Sequence, residues 1–168
     1  MAGRIPVGSL ITDIKLNGDQ PVKTLRQLRQ AVSSTTSAWK AQEAVLKSAG
    51  KQTEAAKAKY AGLTETVKNQ RKYIEALADK QRNLKKVQAE ADQTTEKGKQ
   101  AYKNATEEIQ KNAAQTLRAT TRLESLTKQQ EKAKSSLNYY KSGLAEAQKS
   151  LKQTQAVTKS YVERLKAE

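Results

Sequence analysis

Hydrolytic or redox catalysis in this chain would have to rest on carboxylates and lysines. Glu107-Glu108 and Glu163 with Glu168 are the available carboxylate clusters. General acid/base work needs such pairs in a setting that desolvates them and moves their pKa values apart. Neither His nor Cys is present. That removes the Ser-His-Asp triad, the thiol nucleophile, the usual Cys/His zinc site and the imidazole switch near neutral pH. Carboxylates on a helix exterior meet no desolvating cleft, so the pattern reads as solvated surface. We expect no enzyme, no small-molecule substrate, and no catalytic, cofactor-binding or metal-binding residue. Asn104-Ala105-Thr106 matches a glycosylation acceptor, a match without meaning in the absence of a secretory signal.

The elements that would carry any surface are set by composition. The chain has 168 residues, 36% of them apolar, with no Phe, one Trp and six Tyr. Alanine makes up a large share of the apolar residues, so material for a thick globular interior is missing and extended helix is favoured. The opening Met1-Ala2-Gly3-Arg4 is followed by Pro6, Gly8 and Asp13, a poor signal peptide. No stretch approaches the roughly 18 apolar residues of a spanning helix. Absence of Cys fits a reducing compartment without demonstrating one.

Both prolines, Pro6 and Pro21, fall near the start. Alternation of Leu10, Thr12, Ile14 and Leu16 with Ile11, Asp13 and Lys15 reads as a short strand or extended arm over residues 1–20, closed by an Asn17-Gly18-Asp19 turn. Asp19 or Gln20 then caps a helix that accommodates Pro21 in its first turn. Helix formers dominate from there to residue 168.

Within that helical region the large side chains keep a seven-residue frame. One series runs Leu25, Val32, Trp39, Leu46, Tyr60, Val67, Ile74, Tyr102, Ile109, Leu123, Leu137, Leu144, Leu151 and Leu165. A second, three residues later, runs Leu28, Leu63, Leu77, Leu84, Leu126, Tyr140 and Tyr161, with Ala49, Ala56, Ala91, Ala105, Ala119, Ala133 and Ala147 between them. From Leu25 onward, 21 of the 28 Val, Ile, Leu, Trp and Tyr residues fall in these two series; chance would place about eight there. A sustained 3.5-residue period predicts an all-α fold built as a left-handed coiled coil and marks these residues as a self-association seam.

Gly50 and Gly62 each read as an interior defect costing about 1 kcal/mol, and Gly143 as a smaller one. Residues 93–100 lack any large apolar side chain and are the best turn or hinge if the chain folds back as a long hairpin. The unshifted frame argues instead for one continuous helix of about 220 Å. Gln42, Gln70, Gln81, Gln88, Asn112 and Gln130 thin the seam, and the sparse Glu/Lys pairing beside it specifies partner number and orientation poorly.

The formal net charge is +15. The excess is spread out, with no block of five like charges and no aromatic interleaving, so a solvated surface or contact with an acidic protein wall is preferred to nucleic-acid binding. Trp39 reads first as the filling of a wide hole between helices and second as a landing point for a partner.

The run Ile11-Thr12-Asp13-Ile14-Lys15-Leu16-Asn17-Gly18-Asp19-Gln20, then Lys23-Thr24-Leu25, Thr35-Thr36-Ser37-Ala38-Trp39-Lys40-Ala41-Gln42-Glu43, Leu46-Lys47-Ser48-Ala49-Gly50 and Lys59-Tyr60-Ala61-Gly62-Leu63, resembles the amino-terminal region of tail tape measure proteins of long-tailed bacteriophages infecting Gram-positive bacteria. The resemblance implies extended helices packed in several copies inside the tail tube, their length setting the tube length. It also implies tail tube protein, tail assembly chaperones and distal tail proteins as partners, with the virion tail as location and the host cytoplasm as the site of assembly. Members of that family usually run to many hundreds of residues, so the chain reads as an amino-terminal portion or a truncated form. The competing expectation is a cationic coiled-coil scaffold that binds nucleic acid or an anionic surface.

Overall fold

The computed structural model describes residues 24–167, which form three α-helices and no strand: α1 (Leu25–Ser48), α2 (Gln52–Glu90) and α3 (Glu96–Ala167). The arm over residues 1–20 and the helix start at 20 or 21 lie outside the described residues. Helix α1 opens on a capping box. The Thr24 hydroxyl accepts from the Gln27 N–H at 3.2 Å, and the Gln27 side-chain oxygen accepts from the Thr24 N–H at 2.9 Å.

The single continuous helix is corrected to an up-down-up arrangement with two reversals. The first is at Gly50, whose φ of 72° belongs to the left-handed region. Gly50 N–H donates to the Lys47 carbonyl at 3.0 Å and Lys51 N–H to the Leu46 carbonyl at 2.9 Å. Those two bonds satisfy carbonyls orphaned at the end of α1, the arrangement that glycine permits at the lowest steric cost. Gly50 is therefore a stop and not an interior defect.

The second reversal uses residues 91–95, overlapping the start of the expected turn at 93–100. The Asp92 carboxylate accepts from the Thr94 N–H at 2.9 Å and from its hydroxyl at 2.6 Å, a local turn that competes with helix. Hydrogen bonds from the Thr94 hydroxyl and then its backbone hold the Asp92 carboxyl below the usual range. Thr95 caps α3 by accepting from the Gly98 N–H at 3.0 Å, and Glu96 sits in the first turn. Neither reversal shifts the seven-residue frame, so an unbroken frame does not indicate an unbroken helix.

Helix α2 is the middle member and packs on both others. Asn69 donates to the Thr35 hydroxyl at 3.2 Å across α1 and α2, while Gln70 and Gln88 reach Ala119 and Thr106 on α3. Rising residue numbers on one helix meet falling numbers on the next, so both pairings are antiparallel. The start of α2 ends the accompaniment of α3 near Leu137; from Asn138 to Ser160 every residue is exposed. At 1.5 Å per residue the 72-residue α3 is about 108 Å long, of which about 45 Å extends past Leu137.

The core is narrow. Trp39 packs with Leu63, Val67, Leu126 and Ala133, flanked by Tyr60 and Leu123, and so draws on all three helices. A second cluster joins Leu28 to Ala76, flanked by Leu25 and Tyr73. Gly62 is what lets Trp39 in: a Cβ there would fall on Cβ and Cγ of Trp39.

Gly62→Ala gains up to about 1 kcal/mol of helix propensity and is nonetheless expected to lower the urea midpoint, since overpacking at the Trp39 Cβ costs about 1–3 kcal/mol. Gly143→Ala, with nothing within 4 Å of the added carbon, should raise helicity and thermal stability in circular dichroism. A stabilised Gly62→Ala chain would contradict the close α1–α2 approach.

Candidate interaction surface

The two series divide three ways in the structure. Leu28, Val32, Trp39, Leu63, Val67, Leu77, Leu126 and Leu137 are buried, and Leu25, Leu46, Tyr60, Ile74, Leu84, Ile109 and Leu123 are half-buried, all within the three-helix unit. Tyr102 lies exposed on α3 near its start. Tyr140, Leu144 and Leu151 stand on the unaccompanied part of α3, 37%, 51% and 58% exposed. The side chains of Tyr161 and Leu165 lie outside the described residues.

Except for Ala55, Thr66 and Ala76, every residue of the buried core belongs to one of the two series. The exceptions are all on α2, and their placement follows from its position between two partners. Ala55, Gly62, Asn69 and Ala76 recur every seven residues and form a second stripe. Gly62 meets Trp39, Asn69 meets Thr35 and Ala76 meets Leu28. Sequence reasoning by large side chains missed this face because its residues are small. The seven-residue recurrence of small residues was the available signal.

Residues that seemed to thin the seam instead connect α2 to α3. Gln70 Nε2 donates to the Ala119 carbonyl at 2.8 Å, Asn112 Nδ2 to the Leu77 carbonyl at 2.9 Å and to Gln81 Oε1 at 2.7 Å. Gln88 Nε2 donates to the Thr106 hydroxyl at 2.7 Å and Gln130 Nε2 to the Thr64 hydroxyl at 2.8 Å. Only Gln42 of the polar seam set is left exposed. Asn112 Oδ1 and Trp39 Nε1 are buried without a hydrogen-bond partner.

Two carboxylates tie the helices together at their edges. Glu43 on α1 meets Lys47 at 2.8 Å and Lys59 of α2 at 3.4 Å; Glu108 on α3 meets Lys111 at 3.1 Å and Lys80 of α2 at 3.2 Å. Burial pushes the Glu43 carboxyl up, but the hydrogen bond from Lys47 and the charges of both lysines outweigh it and leave the group below the usual carboxylate range. Hydrogen bonds from Lys111 and Lys80 do the same for Glu108 against a smaller burial effect. Glu108, a member of the Glu107-Glu108 pair, is thus committed to structure, and Glu107 is exposed. Among the described residues no group of three or more Asp or Glu could hold a metal ion, and no helix is long and apolar enough to cross a membrane.

What the described residues present outward is the uncovered seam of α3 and the charged edges of the helices. No family model matches the chain, and no curated protein or solved structure does.

A double-mutant cycle on Gln81→Ala and Asn112→Ala should give a coupling energy of about 1 kcal/mol in urea unfolding, the ordinary size of a net hydrogen bond; additive losses would mean the pair is not formed. The same two carboxylates set the direction of an expected pH dependence. Because Glu43 and Glu108 have folded pKa values below their unfolded ones, their pairs stabilise the fold above the ordinary carboxylate value of about 4.3. That contribution fades as pH falls through the lower folded values. The urea midpoint should be flat from neutral pH to about 5 and fall below about 4, with Glu108→Gln reducing the fall.

Proposed function

We propose that the chain is a structural assembly protein, an amino-terminal portion or truncated form of a phage tail tape measure protein, acting in the virion tail after assembly in the host cytoplasm. The observation that carries the reading is the continuation of the seam, in frame, from the three-helix unit onto the bare part of α3. There Tyr140, Leu144 and Leu151 remain uncovered. Lys141, Gly143, Gln148, Ser150, Gln155 and Val157 flank this stretch of the stripe, so Lys141 is the one charge at its edges. Copies can therefore approach there as a coiled coil with little charge beside the seam, since Lys149, Lys152 and Lys159 face away from it. The resemblance over residues 10 to 65 supplies the identity of the assembly; tail tube protein, tail assembly chaperones and distal tail proteins are the partners it implies.

The fold-back alters how a ruler would be read. Residues of α1 and α2 run alongside α3 and add thickness, not length, so the length the segment contributes is that of α3. Among the described residues a three-helix head with a projecting helix gives a tape one stretch three helices thick and one stretch a single helix thick.

The full chain should sediment as a concentration-dependent oligomer, and Leu144→Ser with Leu151→Ser should make it monomeric while leaving its helicity nearly intact. Each side chain removes about 1.5–3 kcal/mol of burial from the interface. In the phage, deleting residues 141–154 removes two heptads of uncovered α3 and should shorten the tail by about 21 Å. Tails of unchanged length would remove the ruler role from this segment and favour the cationic scaffold that binds nucleic acid or an anionic surface.

A further inference from the structure

Each neighbouring pair of helices is held at its edge by a carboxylate: Glu43 pairs with Lys59 across α1 and α2, and Glu108 with Lys80 across α2 and α3. The remaining edge, between α1 and α3, has no such pair among the described residues. It is instead an open cleft of about 220 Å3 whose lining includes Arg29 from α1, Arg118 and Arg122 from α3, Gln115, and a floor of Gln70 and Tyr73 from α2. None of the three arginines forms an ion pair within the described residues, and no carboxylate lines the cleft. Arg118 and Arg122 are one helical turn apart and so share a face of α3. Arg29 lies in the second turn of α1, at a helix end with no acidic residue in its first turn, where the helix dipole adds to the positive potential.

We propose that this cleft binds phosphoryl oxygens. Three arginines from two helices line one cleft without a counter-charge, so an anion seated among them would relieve their mutual repulsion. Their planar donor forks match a phosphoryl group in two-point contacts that lysine cannot make. Tyr73 and Gln115, which also line the cleft, carry side chains able to serve as neutral donors, and the volume exceeds that of several water molecules. Such a group can come from a phosphodiester backbone or from a free polyphosphate, and the same cleft would take either. This inference stands apart from the tape measure reading, because it concerns charge on an edge that the seam does not use.

The test measures binding of inorganic pyrophosphate by calorimetry and of a labelled single-stranded oligothymidylate by fluorescence anisotropy, at one fixed ionic strength. The full chain is compared with Arg118→Gln/Arg122→Gln, with Arg29→Gln, and with Lys149→Gln/Lys152→Gln, which removes the same charge from the bare end of α3. All four exchanged cations of the paired variants are exposed, so the fold should persist by circular dichroism. We expect the cleft variants to weaken at least one ligand by about tenfold or more, the size of one lost charge-assisted contact, while the distal variant stays within about twofold. Loss of both ligands assigns the site to phosphodiesters as well as free phosphates, and loss of one alone identifies the source. If neither ligand distinguishes the cleft variants from the distal one, the cleft is only part of a diffuse positive surface and the proposal fails.

Discussion

Buried amides between α2 and α3 hold the register on which the rest depends. Gln70 and Asn112 are almost fully enclosed, where an amide left unpaired costs about 1–3 kcal/mol. Apolar contact alone would choose poorly among alignments. Ala105, Ala119 and Ala133 place the same small side chain at every second position of one series on α3, so its apolar surface is repetitive. The bonds from Gln70 to Ala119 and from Asn112 to Leu77 and Gln81 form in one register. Polar residues at such positions select alignment at some expense of stability. With α2 fixed on α3, the opposite face of α2 is left for α1, and Trp39 closes the space where all three meet.

Helix content was legible from the sequence, and the burial pattern follows the two series that the large side chains define. The reversals were harder to see. Gly50 looks like a defect when only propensity is weighed, because its role as a stop depends on the bonds that Gly50 and Lys51 make back to α1. The second reversal was visible as a stretch without large apolar residues, yet the intact frame across it argued the other way. Seven-residue periodicity reports which face of a helix is apolar and says nothing of whether the next apolar face belongs to the same helix. Gly62 misled for a related reason: its cost in propensity is local, and its benefit is a contact with Trp39 from another helix. The cross-helix partners of Gln81, Gln88 and Gln130 were illegible because they lie 31, 18 and 66 residues away.

The same geometry distributes the surface. Apart from Tyr102, the large seam residues up to Leu137 are consumed inside the chain, and those from Tyr140 to Leu151 are left over because α2 is too short to cover them. Each of the two edges that include α2 carries one ion pair between helices. The third gathers arginines without a counter-charge. Apolar and cationic surfaces therefore lie on different parts of α3, one on its bare length and the other beside α1, and a substitution in one should leave the other in place.

The fold-back and its register are open to one direct measurement. Spin labels at Glu65→Cys and Gln129→Cys are uniquely placed, since the chain has no other cysteine, and both positions are exposed on facing stretches of α2 and α3. Pulsed dipolar spectroscopy on labelled chain diluted into unlabelled chain should give a short distance, the helix spacing of about 10 Å lengthened by the label linkers, unaffected by the dilution. A distance near the roughly 96 Å of a continuous helix, or a short one that disappears on dilution, would contradict the intramolecular three-helix arrangement.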